Sequence, residues 1–391
     1  MSATVIVAGR RTPIGKLLGG LRTCSAPTLG GIAIAGALDA GGVPANAVDA
    51  VLMGTVVQAG VGPNPARQAA ARAGIPMTVP ASTVNKLCLS GLHAIALADA
   101  LIRAGQHEVV VAGGMESMTR APQLIEGSRL GWKYGPVVVS DALDRDALTC
   151  AFDGIPMGEA TERYQRVYGI TRAEQDAYAA RSHRLAAAAR SDGRLGEEIV
   201  PVRTGRADLA HDEGIRPDTS VERLAQLAPA FSDDGTITAA SSSQLSDGAA
   251  AVVITTAERA AAEDWPVLAE IGAHGTVAGP DPSLVAQPAN AIRDALRRDG
   301  RLTLDALDLI EINEAFAGVA LASTRELDLP AERINVNGGA IALGHPVGMS
   351  GARLAITLAH ELRRRGGGTG AAALCGGGGQ GDALILRVPA H

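Results

Sequence analysis

Aromatic side chains are almost absent: Phe, Tyr and Trp make up only 2% of the 391 residues. The core must be built from Ala, Val, Leu and Ile, and the hydrophobic share of 47% is large enough for one. With 19% charged residues the chain is not disordered. Cysteine is scarce, with Cys24, Cys88, Cys150 and Cys375 only and no Cys-x-x-Cys pair. That excludes a disulfide framework and fits a reducing, cytoplasmic setting. The eight histidines show no ligand-like pairing with the cysteines, so no metal site is expected. No basic cluster accompanies the net charge of −6, which argues against a nucleic-acid partner. No apolar run reaches the ~18 residues of a membrane span; Asp99 interrupts the longest, His93 to Ile102. The first ten residues lack a basic segment before an apolar one and read as a strand, not a signal peptide.

What is present is an α/β rhythm. Thr4 to Ala8, Val51 to Val57, Ser82 to Val84 and Val109 to Val111 read as strands, the last ending at Gly113-Gly114. Leu29 to Leu38, Pro65 to Ala73 and Leu89 to Arg103 read as helices. Residues 120–235 are richer in charge and read as an inserted, mostly helical loop subdomain. Within it Thr171 and Glu174 form a capping box for a helix over Thr171 to Arg190. Regular α/β resumes at Ala249 to Thr255. The last third repeats the first: Ser350-Gly351 opens a helix as Ser90-Gly91 does, and Ala371 to Leu374 followed by glycines echoes Val109 to Gly114. The expected division is an N-terminal half (1–119 and 236–265), the insertion (120–235) and a C-terminal half (266–391). Two sheets would pack around shared central helices.

Chemistry can sit at four places. Cys88 lies between a strand and the start of a helix, where the helix dipole would lower its pKa; otherwise it is a small buried hydrophobe. Cys375 ends a strand before Gly376-Gly377-Gly378-Gly379-Gln380-Gly381. Those glycines bare backbone N–H groups toward a ligand or oxyanion, and strands anchor both ends. His345 stands between Gly344 and Pro346 before a helix, held for use as a thiol-activating base or as a turn residue. Asn313 follows the strand Leu309 to Ile312, the usual site location in parallel sheets, or caps the next helix. His274-Gly275 and Gly279-Pro280 read as a further loop near the pocket. Two thiols, an imidazole and an amide suit acyl transfer with carbon–carbon bond making or breaking.

Motifs in order along nearly the whole chain resemble the thiolase family. They are Val84-Asn85-Lys86-Leu87-Cys88-Leu89-Ser90-Gly91-Leu92, Gly113-Gly114-Met115-Glu116-Ser117-Met118, Asn313-Glu314-Ala315-Phe316, Asn335 to Pro346, and Cys375 with its glycine loop. The resemblance is nearest to the short-chain branch. It implies a layered α-β-α-β-α fold of duplicated halves and reversible condensation of two acetyl-CoA molecules to acetoacetyl-CoA. It also implies the roles. Cys88 is the acylated nucleophile, His345 the base that then helps hold an oxyanion, and Asn313 positions a water there. Cys375 moves the α-proton, and the N–H groups of Cys88 and Gly377 form a second oxyanion hole. Ser243 would touch pantetheine and Arg216 lie near the nucleotide end, with Met157, Ala315 and Phe316 lining the pocket. Coenzyme A is substrate and product, so no cofactor is implied; the family is usually a dimer or tetramer, with contacts expected over Met118 to Pro136.

The sequence departs from the family pattern at Leu89, Pro156, Met349, Gly376 and Gln380, of which Pro156 and Met349 bear on the pocket. A longer-chain 3-ketoacyl-CoA thiolase and a non-catalytic acyl-CoA-binding relative are the alternatives.

Overall fold

The computed structural model describes residues 3–205 and 208–390. Met1, Ser2 and His391, and Arg206 and Ala207 of the insertion, lie outside the described residues.

The first half contains β1 (Thr4–Arg11), α1 (Ala26–Gly41), β2 (Ala50–Gly54), α2 (Pro65–Arg72), β3 (Ala81–Val84), α3 (Ser90–Arg103) and β4 (Val110–Ser117). After the insertion, which carries α4 (Met157–Gln165) and α5 (Arg172–Ser191), β5 (Ser246–Thr256) completes it. The second half contains β6 (Ala269–Ala278), α6 (Gln287–Asp299), β7 (Leu309–Ile312), α7 (Ala317–Leu327), α8 (Ser350–Arg364), β8 (Gly368–Gly376) and β9 (Gln380–Val388).

The duplication is explicit in the strand pairing. In the first half the order is β1-β5-β4-β2-β3, paired antiparallel, antiparallel, parallel, parallel. In the second it is β6-β9-β8-β7 with the same senses, completed by a parallel bridge from Ile310 to Ile334 where β3 has its counterpart. Two separate sheets were expected. Instead β1 pairs with β6 at Val5–Glu270 and Ile6–Ala269, so the halves join edge to edge in one sheet of ten strands, the tenth being the short Gly15–Lys16 segment paired with the start of β5. The sheet folds around α3 and α8, which pack on each other and against strands of both halves. The central core holds Leu92, Ile95, Leu354, Ile356 and Leu358; α1 with α2, and α6, close separate apolar layers outside. Ala-rich helices permit this layering, because small side chains let helix and sheet approach closely.

Local signals explain several boundaries. Ser25 caps α1 on the Thr28 N–H, and the Thr171–Glu174 capping box opens α5 as expected. Gly113-Gly114 does not end β4, which runs on to Ser117. A Cβ on Gly114 would stand 1.9 Å from the Gly348 carbonyl oxygen, and one on Gly113 2.1 Å from that of Ala250. These glycines let backbones touch and do not make a turn. Likewise His274-Gly275 lies inside β6, not in a loop; Gly275 sits against the carbonyl of Ala291. The insertion combines its helices with two short hairpins, Gln123–Leu124 with Ser140–Asp141 and Val202–Arg203 with Asp208–Leu209. Among the described residues no helix is long and apolar enough to cross a membrane.

Candidate active site

Cys88 sits on a tight turn between β3 and α3. Leu87 before it is left-handed, with φ of +52°, a conformation that costs a non-glycine residue on the order of 1 kcal/mol. The turn is over-determined by its own side chains. Asn85 Oδ1 accepts the Leu87 N–H at 3.0 Å, Ser90 Oγ accepts the Lys86 N–H at 2.8 Å, and Ser90 donates to the Leu87 carbonyl at 2.6 Å.

The sulfur of Cys88 lies near its own N–H and that of Gly377, and both favour its thiolate form. Gly377 begins the β8–β9 hairpin, whose tip residues Gly378 and Gly379 take φ of +75° and +69°. A Cβ on Gly377 would meet Leu87 and Met157, and one on Gly379 would lie 1.9 Å from the Asp281 carbonyl oxygen. The hairpin is thus pressed into place on both sides. Cys375, two residues earlier, is buried among Ile237, Leu284, Phe316 and Val319.

Burial pushes the Cys88 thiol up to about 11, and nearby Glu116 adds to this, against the N–H groups of Cys88 and Gly377. The sequence reading expected a lowered pKa at a helix start; the shift is upward, desolvation being its largest cause, and α3 begins only at Ser90. Burial, with the neighbouring Cys88, also drives Cys375 far above the ordinary thiol range. The thiolate is the alkylating species, and below a raised pKa its fraction grows with pH. Alkylation of Cys88 by iodoacetamide should therefore still be accelerating at about pH 9; a plateau near neutrality, read by mass spectrometry, would contradict a neutral resting thiol.

His345 is buried, and burial with the Arg353 charge lowers its pKa to about 3. The hydrogen-bond network assigns its tautomer. Ser350 Oγ donates to the Pro346 carbonyl at 3.0 Å and so accepts from His345 Nδ1 at 2.6 Å. Nε2 is left without a proton and accepts from Asn313 Nδ2 at 3.3 Å. Asn313 does not cap α7, whose cap position is Phe316. Its backbone N–H is held by Ala373, and its buried Oδ1 has no hydrogen-bond partner.

A cavity of about 420 Å³ opens onto His345, Met157, Ser243, Phe316, Phe231 and Val347. Val347 and Met118 also belong to the apolar cluster on which Cys88 packs, and Met157 to the one around Cys375. The cavity therefore adjoins both thiols and the imidazole. Ser243 donates its N–H to the Ala315 carbonyl at 3.0 Å; Ala315 itself is buried behind the wall. Arg216 is exposed and does not line the cavity. Pro156 lines it, whereas Met349 is wholly buried in the central core and does not.

Two buried carboxylates, unassigned in the sequence reading, hold these loops. Glu116 accepts from the N–H groups of Val56, Val57 and Gly348 and from the Thr55 hydroxyl, at 2.9 to 3.2 Å. It ties the cluster beneath Cys88 to the loop of His345, and burial lifts its pKa to about 7. Glu314 accepts from Tyr178, Ser182, Asn335 and the Ile341 N–H, which docks α5 of the insertion onto the Asn313 loop. The only sequence signal for either was an acidic residue in an otherwise apolar or small-residue run.

Two family models cover this architecture: "Thiolase, N-terminal domain" matches residues 4–258 and "Thiolase, C-terminal domain" residues 265–388. The chain belongs to the thiolase family of acyltransferases. A "Probable acetyl-CoA acetyltransferase" of Mycobacterium tuberculosis is 59% identical, over 99% of this chain and 100% of the relative. An "Acetyl-CoA acetyltransferase" of Pseudomonas aeruginosa is 47% identical over 99% of both chains. Among solved structures, human mitochondrial 3-ketoacyl-CoA thiolase in complex with CoA superposes with a TM-score of 0.96 at 40% identity, over 99% of this chain and 98% of that one. The thiolase fold is thus present end to end.

Proposed function

We propose that this thiolase is an acetyl-CoA acetyltransferase, joining two acetyl-CoA molecules into acetoacetyl-CoA and CoA, reversibly. The observation that carries the reading is the Cys88 sulfur set near the Gly377 N–H, with Cys375 beside it and the unprotonated His345 Nε2, paired with Asn313, on the adjoining cavity.

Cys88 attacks the thioester carbonyl of the first acetyl-CoA while His345 Nε2 takes its proton. CoA leaves as the thiolate and is protonated by solvent; His345 keeps the proton on Nε2 for the second step, and the acetyl group stays on sulfur. A raised thiol pKa and a lowered imidazole pKa keep both partners neutral at rest, so charge develops only during transfer. The acetyl oxygen then faces the N–H groups of Cys88 and Gly377. Cys375, as thiolate once its own proton has passed to solvent, withdraws the α-proton of the second acetyl-CoA. Its raised pKa makes that thiolate a strong base, which a weak carbon acid requires. The enolate oxygen lies at His345 and at a water held by Asn313, whose open Oδ1 suits that task. The enolate carbon attacks the acetyl carbonyl, and Cys88 departs and takes its proton back from His345 as acetoacetyl-CoA forms. No cofactor enters any step. Ser243, Met157 and Phe316 hold pantetheine and acyl group, with Ala315 behind them; Arg216 lies toward the nucleotide end.

The short acyl chain is supported by the relatives named above and by the edge-on pair Phe231–Phe316 (ring centroids 5.9 Å apart) on the cavity wall. The CoA-bound 3-ketoacyl-CoA thiolase of the same fold favours a longer chain. Thiolysis of 3-ketoacyl-CoA substrates of increasing length decides between them. Activity greatest with acetoacetyl-CoA is expected; activity rising with length moves the enzyme to the longer-chain class. We also propose a cytoplasmic homo-oligomer, dimer or tetramer. Its four free cysteines and the exposed Leu130, Trp132, Tyr134 and Val138 support this.

A further inference from the structure

On the far side of the Cys88 turn, three elements bring together side chains that the reaction does not use. His93 comes from α3, His274 from β6 and Asp382 from β9. We propose that these three residues form a binding site for a divalent ion of the zinc class. Their spacing in sequence gives no hint of it, since the sheet register creates the cluster by placing His274 beside Leu384, two residues from Asp382.

The donor set is two imidazole nitrogens and one carboxylate, the combination that zinc-class ions favour. Asp382 Oδ2 lies 3.2 Å from His93 Nδ1, and Asp382 Oδ1 lies 3.6 Å from His274 Nε2. Three ligands at ~2.0–2.1 Å from a tetrahedral zinc stand roughly 3.3 Å from one another, so both separations are already near those of a coordination shell. All the donor atoms lie within 4.8 Å of one another. By strict geometry Asp382 Oδ2 and His274 Nε2, both buried, have no hydrogen-bond partner among the described residues, although both imidazoles stand close enough to stabilise the Asp382 carboxylate. Two unsatisfied groups side by side cost stability. A metal ion satisfies both at once.

The site already attracts a cation. The Lys86 ammonium bonds Asp382 Oδ1 at 2.7 Å and Thr276 Oγ1 at 3.0 Å, and stands 3.4 Å from His93 Nδ1. A metal ion competes with it for the carboxylate. Lys86 retains partial exposure and its bond to Thr276, so it can yield Oδ1 without being stranded. The imidazole rings are one-fifth to one-quarter exposed above Asp382, which forms the buried floor; His274 Nε2 itself is buried, so an ion enters past the ring edges. Water completes the tetrahedron.

Titration of the metal-stripped protein with Zn²⁺ by calorimetry tests this, with Co²⁺ as a spectroscopic probe. One ion per chain is expected, weakened at least about tenfold by His93→Gln and by His274→Gln. The cobalt spectrum should lack a thiolate charge-transfer band. Both histidines are partly exposed, so these variants should fold. Binding unchanged in both variants, or lost in Cys88→Ser with a thiolate band, places the metal on the nucleophile and overturns the site. Failure of the wild-type protein to bind also overturns it, even where Lys86→Met binds, because the ammonium is then the resident cation. These readouts do not depend on the acyl-transfer reading.

Discussion

Cys88→Ala should lower acetoacetyl-CoA thiolysis by at least about 10⁴-fold, the scale on which loss of a covalent nucleophile is felt. The substitution removes one sulfur atom from a turn whose geometry is set by Asn85 and Ser90. The fold should therefore persist, and circular dichroism should be unchanged. Intact-mass measurement after mixing with acetyl-CoA should find one acetyl group on the wild-type chain and none on the variant. An acetylated Cys88→Ala would move the nucleophile elsewhere, with Cys375 the first alternative.

Cys375→Ser should separate the two halves of the reaction. Acetyl transfer to Cys88 and exchange of labelled CoA into acetyl-CoA need only Cys88, His345 and the backbone donors, so both should stay within about tenfold of wild type. Condensation should fall about 10³-fold, within the range general acid–base groups contribute, because a serine hydroxyl does not supply the base that α-proton removal demands. The position tolerates the change sterically, being walled by Ile237, Leu284 and Phe316 around a side chain of similar size. If exchange and condensation fell together, Cys375 would be acting on acylation and the division of labour would be wrong.

The candidate site residues were legible because they sit at punctuation marks. Cys88, Asn313, His345 and Cys375 each stand where an apolar run meets glycine, proline or a helix start, and parallel α/β folds place sites there. The strand-helix rhythm and the repeat of Ser90-Gly91 in Ser350-Gly351 likewise survive in the fold. What was not legible depends on neighbours remote in sequence. The direction of the Cys88 shift follows from burial and from Glu116. Gly113 and Gly114 resemble a turn until Ala250 and Gly348 are seen pressed against them. His274-Gly275 is polar and flexible by composition, yet β9 pairs with it and keeps it in the sheet. The roles of Glu116 and Glu314 exist only through the loops they join.

The sharing of α3 and α8 by both half-sheets has a consequence for how the molecule comes apart. The boundary near residue 260 separates two repeats of topology, but it does not separate two cores. Either repeat released alone would expose the inner face of its central helix, with Leu92 and Ile95 on one side or Leu354 and Leu358 on the other. The β1–β6 seam, only two residue pairs long, could not substitute for that packing. Thermal unfolding should therefore be a single cooperative transition in calorimetry, without a half-melted intermediate. Damage in one repeat would be felt by the thiol in the other, because the hairpin over Cys88 keeps its place only while both repeats remain folded.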